Sequence, residues 1–313
     1  MARVLNMTKW AVLALSLGLM AACSDSESDS SATKPSAANN PPAEQSTLEA
    51  AKAAGKIRIG YANEAPYAYL DTSTNQITGE AVEIARVVLK RMGINEVEGV
   101  LTEFGSLIPG LQAKRFDIIA AGMYVTPERC QQAAFSNPTY GVGESFLVQQ
   151  GNPKQLHSYE DVAKNDDIKL GVVVGAIESE YARKMDIPLD RVVVFPDVVS
   201  ALSGVQAGRA DAYAATAMTV NDLMKKSATA DLEKAEPFTD PVIDGKSVRG
   251  YGAFAFRKDD QEFVDAFNAE LAKFIGTEEH AKVVQPFGFT ESELPGDVTA
   301  AKLCGADAQA GSQ

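Results

Sequence analysis

The chain has 313 residues and a formal net charge of −13 at pH 7, with 29 Lys and Arg against 42 Asp and Glu. Affinity for nucleic acid rests on neutralised phosphates, so a chain this acidic is not read as a nucleic-acid binder. The charges are scattered rather than blocked, as on an acidic soluble surface. After the N-terminal segments about 260 residues remain, enough for one large or two medium domains.

The N-terminus reads as a targeting segment. Arg3 and Lys9 precede an apolar run from Trp10 to Met20 that is short for a membrane span, and Met20-Ala21-Ala22-Cys23 closes it. A small-small-Cys ending resembles a bacterial lipobox. It implies a signal peptide over 1–22, a lipidated Cys23 as first mature residue, and a periplasmic or cell-surface protein anchored by lipid alone. Residues 24–46 are mostly Ser, Asp, Ala, Asn and Pro. They have too little apolar surface to offset their ordering entropy and are expected to form a flexible tether over 23–46. Losing Arg3 and Lys9 leaves the mature charge at −15.

Strand and helix patterns then alternate. Lys56–Ala62 alternates as a strand does. Ala81–Met92 carries Val82, Ala85, Val88 and Leu89 at helical spacing, and Gly93 stops it. Gly99–Phe104 is expected as a second strand, Ser106–Lys114 as a short helix and Phe116–Ala121 as a third strand. The pattern restarts after the extended run Tyr140–Gln149. Strands are expected at Leu170–Val174, Val192–Phe195 and Ala210–Ala215, with helices at Glu178–Met185, Ser200–Ala207 and Thr219–Ser227. A further extended run, Gly250–Arg257, leads to helices at Asp260–Ile275 and Glu278–Val284. Two β-α-β-α-β units joined by two extended crossings make an α/β clamshell of two lobes, each a mainly parallel sheet flanked by helices. The lobes are expected over 50–141 plus 251–293 and over 142–250, with a tail at 294–313. A ligand would lie between them, at the carboxyl ends of the strands.

One stretch stands out: Ala120-Ala121-Gly122-Met123-Tyr124-Val125-Thr126-Pro127-Glu128-Arg129-Cys130. Thr126 can cap a helix whose first turn holds Pro127. Arg129 then sits at the mouth of a strand, where a guanidinium can grip a carboxylate with two parallel hydrogen bonds. Alone, the stretch equally fits a surface Arg in an ordinary turn. Cys130 and Cys304 can form a disulfide outside the cytoplasm, tying the tail to the Arg129 helix; two unpaired thiols are the alternative. His157 and His280 stand far apart without Cys at ligand spacing, so no metal is expected. No Gly-rich phosphate loop or nucleophile elbow is present, and no cofactor or catalytic residue is expected.

The passages Asn63-Glu64-Ala65-Pro66-Tyr67, Thr78-Gly79-Glu80-Ala81, Phe104-Gly105-Ser106-Leu107-Ile108-Pro109-Gly110-Leu111, Gly122 to Cys130, Phe135-Ser136-Asn137-Pro138-Thr139-Tyr140 and Thr219-Val220-Asn221-Asp222-Leu223 carry a resemblance. Over roughly residues 50–293 the chain looks like a periplasmic solute-binding protein (type II clamshell) of the polar amino-acid class, the receptor of an ABC importer. More narrowly it resembles the ectoine/hydroxyectoine-binding receptors. The resemblance implies a monomeric, non-enzymatic receptor that hands a small molecule to a permease. It implies Glu64 as acceptor for the ligand's N–H groups, Tyr67, Phe104 and Tyr124 as an aromatic cage, and Arg129 as carboxylate anchor. Gly122, Ile177 and Thr216 complete the expected set. The backbone N–H groups of Gly175-Ala176-Ile177, at a helix start, suit a carboxylate. Relatives that bind α-amino acids carry an Asp where Thr216 stands here, and that departure favours a ligand without a primary ammonium. Asp197 or Glu178 taking over the Asp role stays open. So do a receptor for another small zwitterion (amino acid, opine or betaine) and an enzyme like the cyclohexadienyl dehydratases on the same fold. Tyr61, Tyr69 and Phe116 read as core or rim.

Overall fold

The computed structural model describes residues 45–225, 230–243 and 245–305. The expected signal peptide and Cys23 lie outside the described residues, as does most of the tether. Description begins with the helix Thr47–Ala54, capped by the Ser46 hydroxyl, which accepts from Glu49 N.

Two sheets organise the rest. The first runs in the order Glu96–Leu101, Lys56–Tyr61, Ile118–Tyr124, Gly250–Phe256, with Ala134–Phe135 and Tyr140–Val142 both pairing along the last strand. The second runs Val192–Phe195, Leu170–Val173, Ala212–Thr216, Glu144–Gln149, Leu232–Lys234. Each is mixed. Three parallel strands carry the β-α-β units, and the later crossing strands join antiparallel. The inner parallel strand Ile118–Tyr124 is buried on both faces, which is why it reads as an almost unbroken apolar run.

The helix periodicity survives closely. Glu80–Arg91 buries Val82, Ala85, Val88 and Leu89, the four residues at helical spacing. Several strand ends shift by a few residues, and two shifts bear on the site. The second strand spans Glu96–Leu101, and Phe104 sits beyond it in a 3-10 turn over Phe104–Ser106. The third strand extends to Tyr124 rather than stopping at Ala121, because Met123 and Tyr124 still pair with Gly250–Phe256. Thr126 caps a single turn, Pro127–Cys130, and its hydroxyl accepts from Arg129 N at 3.2 Å.

Glu80 is 1% exposed. One oxygen accepts from the Thr139 hydroxyl at 2.8 Å, and Oε2 has no partner. Burial pushes its carboxyl from 4.5 up to about 8, the Thr139 bond opposing. The folded chain therefore keeps a proton that the unfolded chain loses near 4.5, and the stability this confers disappears as pH rises through about 8. Glu80→Gln keeps the neutral shape at every pH. The melting temperature of wild type should fall relative to Glu80→Gln between pH 5 and pH 8.5, read by calorimetry; parallel curves would place the Glu80 pKa near its ordinary value.

Cys130 and Cys304 are disulfide-bonded, with Cα atoms 5.7 Å apart and 174 positions between them in sequence. The bond holds the terminal turn Ala300–Leu303 against the Arg129 helix, and Asn137 Oδ1 accepts from Ala300 N beside it. Neither cysteine should react in a thiol titration of the unfolded, unreduced mature protein. Changing both to Ser should lower stability by up to about 5 kcal/mol, the chain-entropy ceiling for so long a loop.

Candidate functional site

The carboxyl ends of the parallel strands of both sheets meet at one cleft. From the first sheet's side come Glu64 and Tyr67, Phe104, and Gly122, Tyr124 and Arg129; Val173, Ala176, Ile177, Glu178, Tyr213 and Thr216 come from the other. They close tightly on one another, leaving about 30 Å³ open to the centre of a water molecule. All eight binding candidates from the sequence border this one cavity.

Each is positioned by local chemistry. Glu64 and Tyr67 sit in a tight loop after the first strand, where Tyr67 N and Ala68 N both donate to Glu64 O. Gly122 has φ +65, and a Cβ there would fall 2.5 Å from the Tyr67 ring, so glycine is what lets the strand pass beneath that ring. Arg129 donates from Nη1 to Tyr124 O at 2.8 Å and from Nη2 to Gly175 O at 3.0 Å. Its guanidinium carbon lies 5.6 Å from the Phe104 ring centre, a cation–π arrangement. Two backbone carbonyls and one aromatic face thus fix the plane of the cation. The second of those carbonyls belongs to the opposite lobe.

The lobes touch directly. Gly175 has φ +74, and a Cβ on it would lie 2.4 Å from Gly105 Cα. Thr219 donates to Glu64 Oε1 at 2.6 Å, and Tyr67 and Thr216 hydroxyls are 2.7 Å apart.

This geometry adds contacts to three of the expectations. In the segment Gly175-Ala176-Ile177, Ala176 N donates to Val173 O and the Gly175 carbonyl accepts from Arg129. Thr216 is engaged within the protein as well as lining the cavity, since its oxygen caps the helix Ala217–Met224. The aromatic cage is one-sided at Tyr67, whose ring stacks on Tyr140 with centroids 5.1 Å apart and 24° between planes. Asp197 is exposed and caps the helix Val198–Gln206, accepting from Ser200 N. It is a cap, while Glu178 borders the cavity. Tyr61 and Phe116 are core residues and Tyr69 is half-buried.

Sequence reasoning missed Tyr140, Tyr213 and Glu144. Tyr140 donates from its hydroxyl to Gly122 O at 2.8 Å, buttressing the cage from behind. Glu144 is 4% exposed, and burial outweighs its side-chain interaction with the Tyr124 hydroxyl. Burial, then the charges of Glu178 and Asp240, push Glu144 well above the carboxylate range. Glu178 is likewise raised by burial, with Arg129 opposing. Burial takes Glu64 from 4.5 to about 7, and the Thr219 bond pulls the other way. Burial also lowers the Arg129 pKa, against nearby Glu178. Among the described residues no cluster could hold a metal ion and no helix is long and apolar enough to cross a membrane.

The model of the bacterial extracellular solute-binding proteins, family 3, matches residues 57–290. A probable amino-acid ABC transporter periplasmic-binding protein of Sinorhizobium fredii is 42% identical over 262 residues, covering 82% of this chain and 86% of its own. Among solved structures, EhuB in complex with hydroxyectoine is similar at a TM-score of 0.74 and 38% identity, over 82% of this chain and 97% of that one. The ancestral amino-acid-binding protein AncCDT-1, a precursor of cyclohexadienyl dehydratase, is similar at 0.66 and 26%, over 77% of this chain and 99% of that one. The type II clamshell, the binding of a small solute outside the cytoplasm and the partnership with an ABC permease follow from this kinship. The chain belongs to the bacterial extracellular solute-binding proteins of family 3.

Proposed function

We propose that this receptor captures ectoine or hydroxyectoine and delivers it to its importer. The observation that carries the reading is the pairing, around one small cavity, of a fixed guanidinium with an opposed acid and aromatic rings: Arg129, Glu64, Phe104, Tyr124 and the free side of Tyr67. Ectoine is a small ring bearing one carboxylate and a delocalised cationic amidine. Arg129 would take the carboxylate, with two of its five donors already spent on orienting it. Glu64 would accept from the amidine N–H groups, and the rings would cover the flat cation. Similarity to the hydroxyectoine-bound EhuB supports the same choice. We further propose that the receptor is a monomer without catalytic activity, that 1–22 is a signal peptide, and that Cys23 carries the lipid.

A second reading has one observation in its favour. Glu178 borders the cavity, so a ligand with a primary ammonium would find an acid there despite Thr216. A thermal-shift panel of ectoine, hydroxyectoine, arginine, glutamine, glycine betaine and prephenate separates these readings. Ectoine or hydroxyectoine should give the largest shift; a ligand at 100 times its Kd adds about 2.7 kcal/mol of apparent stability. A shift with an amino acid and none with millimolar ectoine would transfer the assignment to Glu178 and the amino acid. A prephenate shift accompanied by turnover would make the protein an enzyme.

Arg129→Ala should weaken binding by about 2–5 kcal/mol, more than any single aromatic change, because it leaves the ligand carboxylate desolvated and unpaired. Phe104→Leu keeps apolar burial but removes the ring that faces the Arg129 guanidinium and borders the cavity, and should cost about 0.5–2 kcal/mol. Tyr124→Phe should cost less than Tyr124→Leu. Calorimetric titration of the folded variants reads all four; unchanged affinity in Arg129→Ala would remove the anchor.

A further inference from the structure

Four hydroxyl and carboxylate groups form an unbroken chain across the seam between the lobes. Tyr67 Oη and Thr216 Oγ1 are 2.7 Å apart, Thr216 Oγ1 and Thr219 Oγ1 are 3.0 Å apart, and Thr219 Oγ1 is 2.6 Å from Glu64 Oε1. The two ends belong to one lobe and the two threonines to the other. Thr219 is fully buried and Thr216 nearly so.

The proton order follows from valence. A hydroxyl has one hydrogen to give. Thr219 gives its hydrogen to Glu64, so it accepts from Thr216. Thr216 has then spent its own, so it accepts from Tyr67. Thr216 Oγ1 also accepts from Thr219 N at 3.1 Å, which fixes the oxygen in place. Every hydrogen points towards Glu64, and bonds aligned in this way reinforce one another.

We infer that Thr216 and Thr219 form an interlobe relay that completes the hydrogen bonding of Glu64 only when the lobes close, making Thr219 a positioning residue for ligand capture. This rests on the reading of Glu64 as the ligand's acceptor. In an open clamshell water solvates Glu64. Closure removes that water, and the relay supplies a donor in its place on the oxygen it occupies, leaving the other oxygen for a ligand N–H. The ionisable groups whose charges are felt together with Glu64 are Glu144, Glu178 and Tyr213 of the opposite lobe and Tyr67 and Tyr140 of its own. Burial works against a charge on Glu64, which gives the relay its task. The departure from Asp at position 216 has a purpose here: a carboxylate there would add another anion, where Thr accepts from one neighbour and donates to the next.

The test is the kinetics of ectoine binding to wild type, Thr219→Val and Thr219→Ser. Val keeps the shape of Thr and removes the donor; Ser restores it. Losing a hydrogen bond to a charged group in a closed site should speed ectoine dissociation from Thr219→Val by about tenfold or more, with the association rate little changed. Thr219→Ser should dissociate within about threefold of wild type. If Thr219→Val fails to fold, Tyr67→Phe cuts the same chain at its far end and should raise the dissociation rate in the same direction. Equal dissociation rates for wild type and the cut relay would overturn the inference. Should wild type not bind ectoine, the ligand assignment falls, and the relay is then read from small-angle scattering of the ligand-free proteins. Thr219→Val should be more open than wild type and Thr219→Ser should match it; superimposable profiles for wild type and Thr219→Val would reject the relay.

Discussion

Loss of water from charged groups governs this cleft. Glu64, Glu144 and Glu178 are drawn together with Arg129 where the lobes meet, and each acid is raised chiefly by burial. Isolated carboxylates cannot stay charged in such a place; they must be paired, hydrogen-bonded or protonated. The site uses the last two for its acids and fixes its cation separately. Arg129 is held by two carbonyls and an aromatic face. Glu64 is bonded by Thr219. Glu144 is pushed by burial towards its neutral form, with Tyr124 opposing. The differences among the three acids come from their neighbours, and those neighbours lie on both lobes.

The sheets explain why so few residues suffice. Five of the six parallel strands end at the same seam, so a loop of a few residues after each of them reaches the cavity. Glu64, Phe104, Arg129 and Glu178 follow four different strands. None is near another in sequence, and no loop has to be long. The antiparallel crossings do the opposite work. Gly250–Phe256 pairs with Ile118–Tyr124 and with Tyr140–Val142, pinning the strand that carries Gly122 and Tyr124.

What was legible in the sequence was local. The Thr126 cap with Pro127 after it is a matter of adjacent residues, and it places Arg129 correctly. The apolar spacing of Glu80–Arg91 likewise follows from one helical face. The eight candidates that came with the family resemblance border one cavity because strand-end positions are set by element order. What stayed hidden depends on partners far along the chain. Tyr140 sits in an extended run that looks like plain strand, yet it backs Tyr67 from 73 positions away, joined by ring stacking. Glu144 opens a buried strand, where alternation cannot tell an acid facing a seam from one facing solvent. That the Gly175 carbonyl accepts from Arg129 of the other lobe is likewise a long-range matter. The composition of the loop did not carry it.

The disulfide has a mechanical consequence. Its two ends are 174 positions apart, so one covalent ring encloses the whole second sheet, from Glu144 to Lys234, together with the return strand Gly250–Phe256. Tension applied at the chain ends passes through the sulfur bridge and never loads that ring. Roughly 600 Å of contour, at about 3.5 Å per residue, is thereby withheld from extension. A single peptide cut anywhere within the ring would also leave both fragments in one covalent molecule. For a receptor exposed to proteases outside the cytoplasm, the jaw that closes over the ligand is the part so protected.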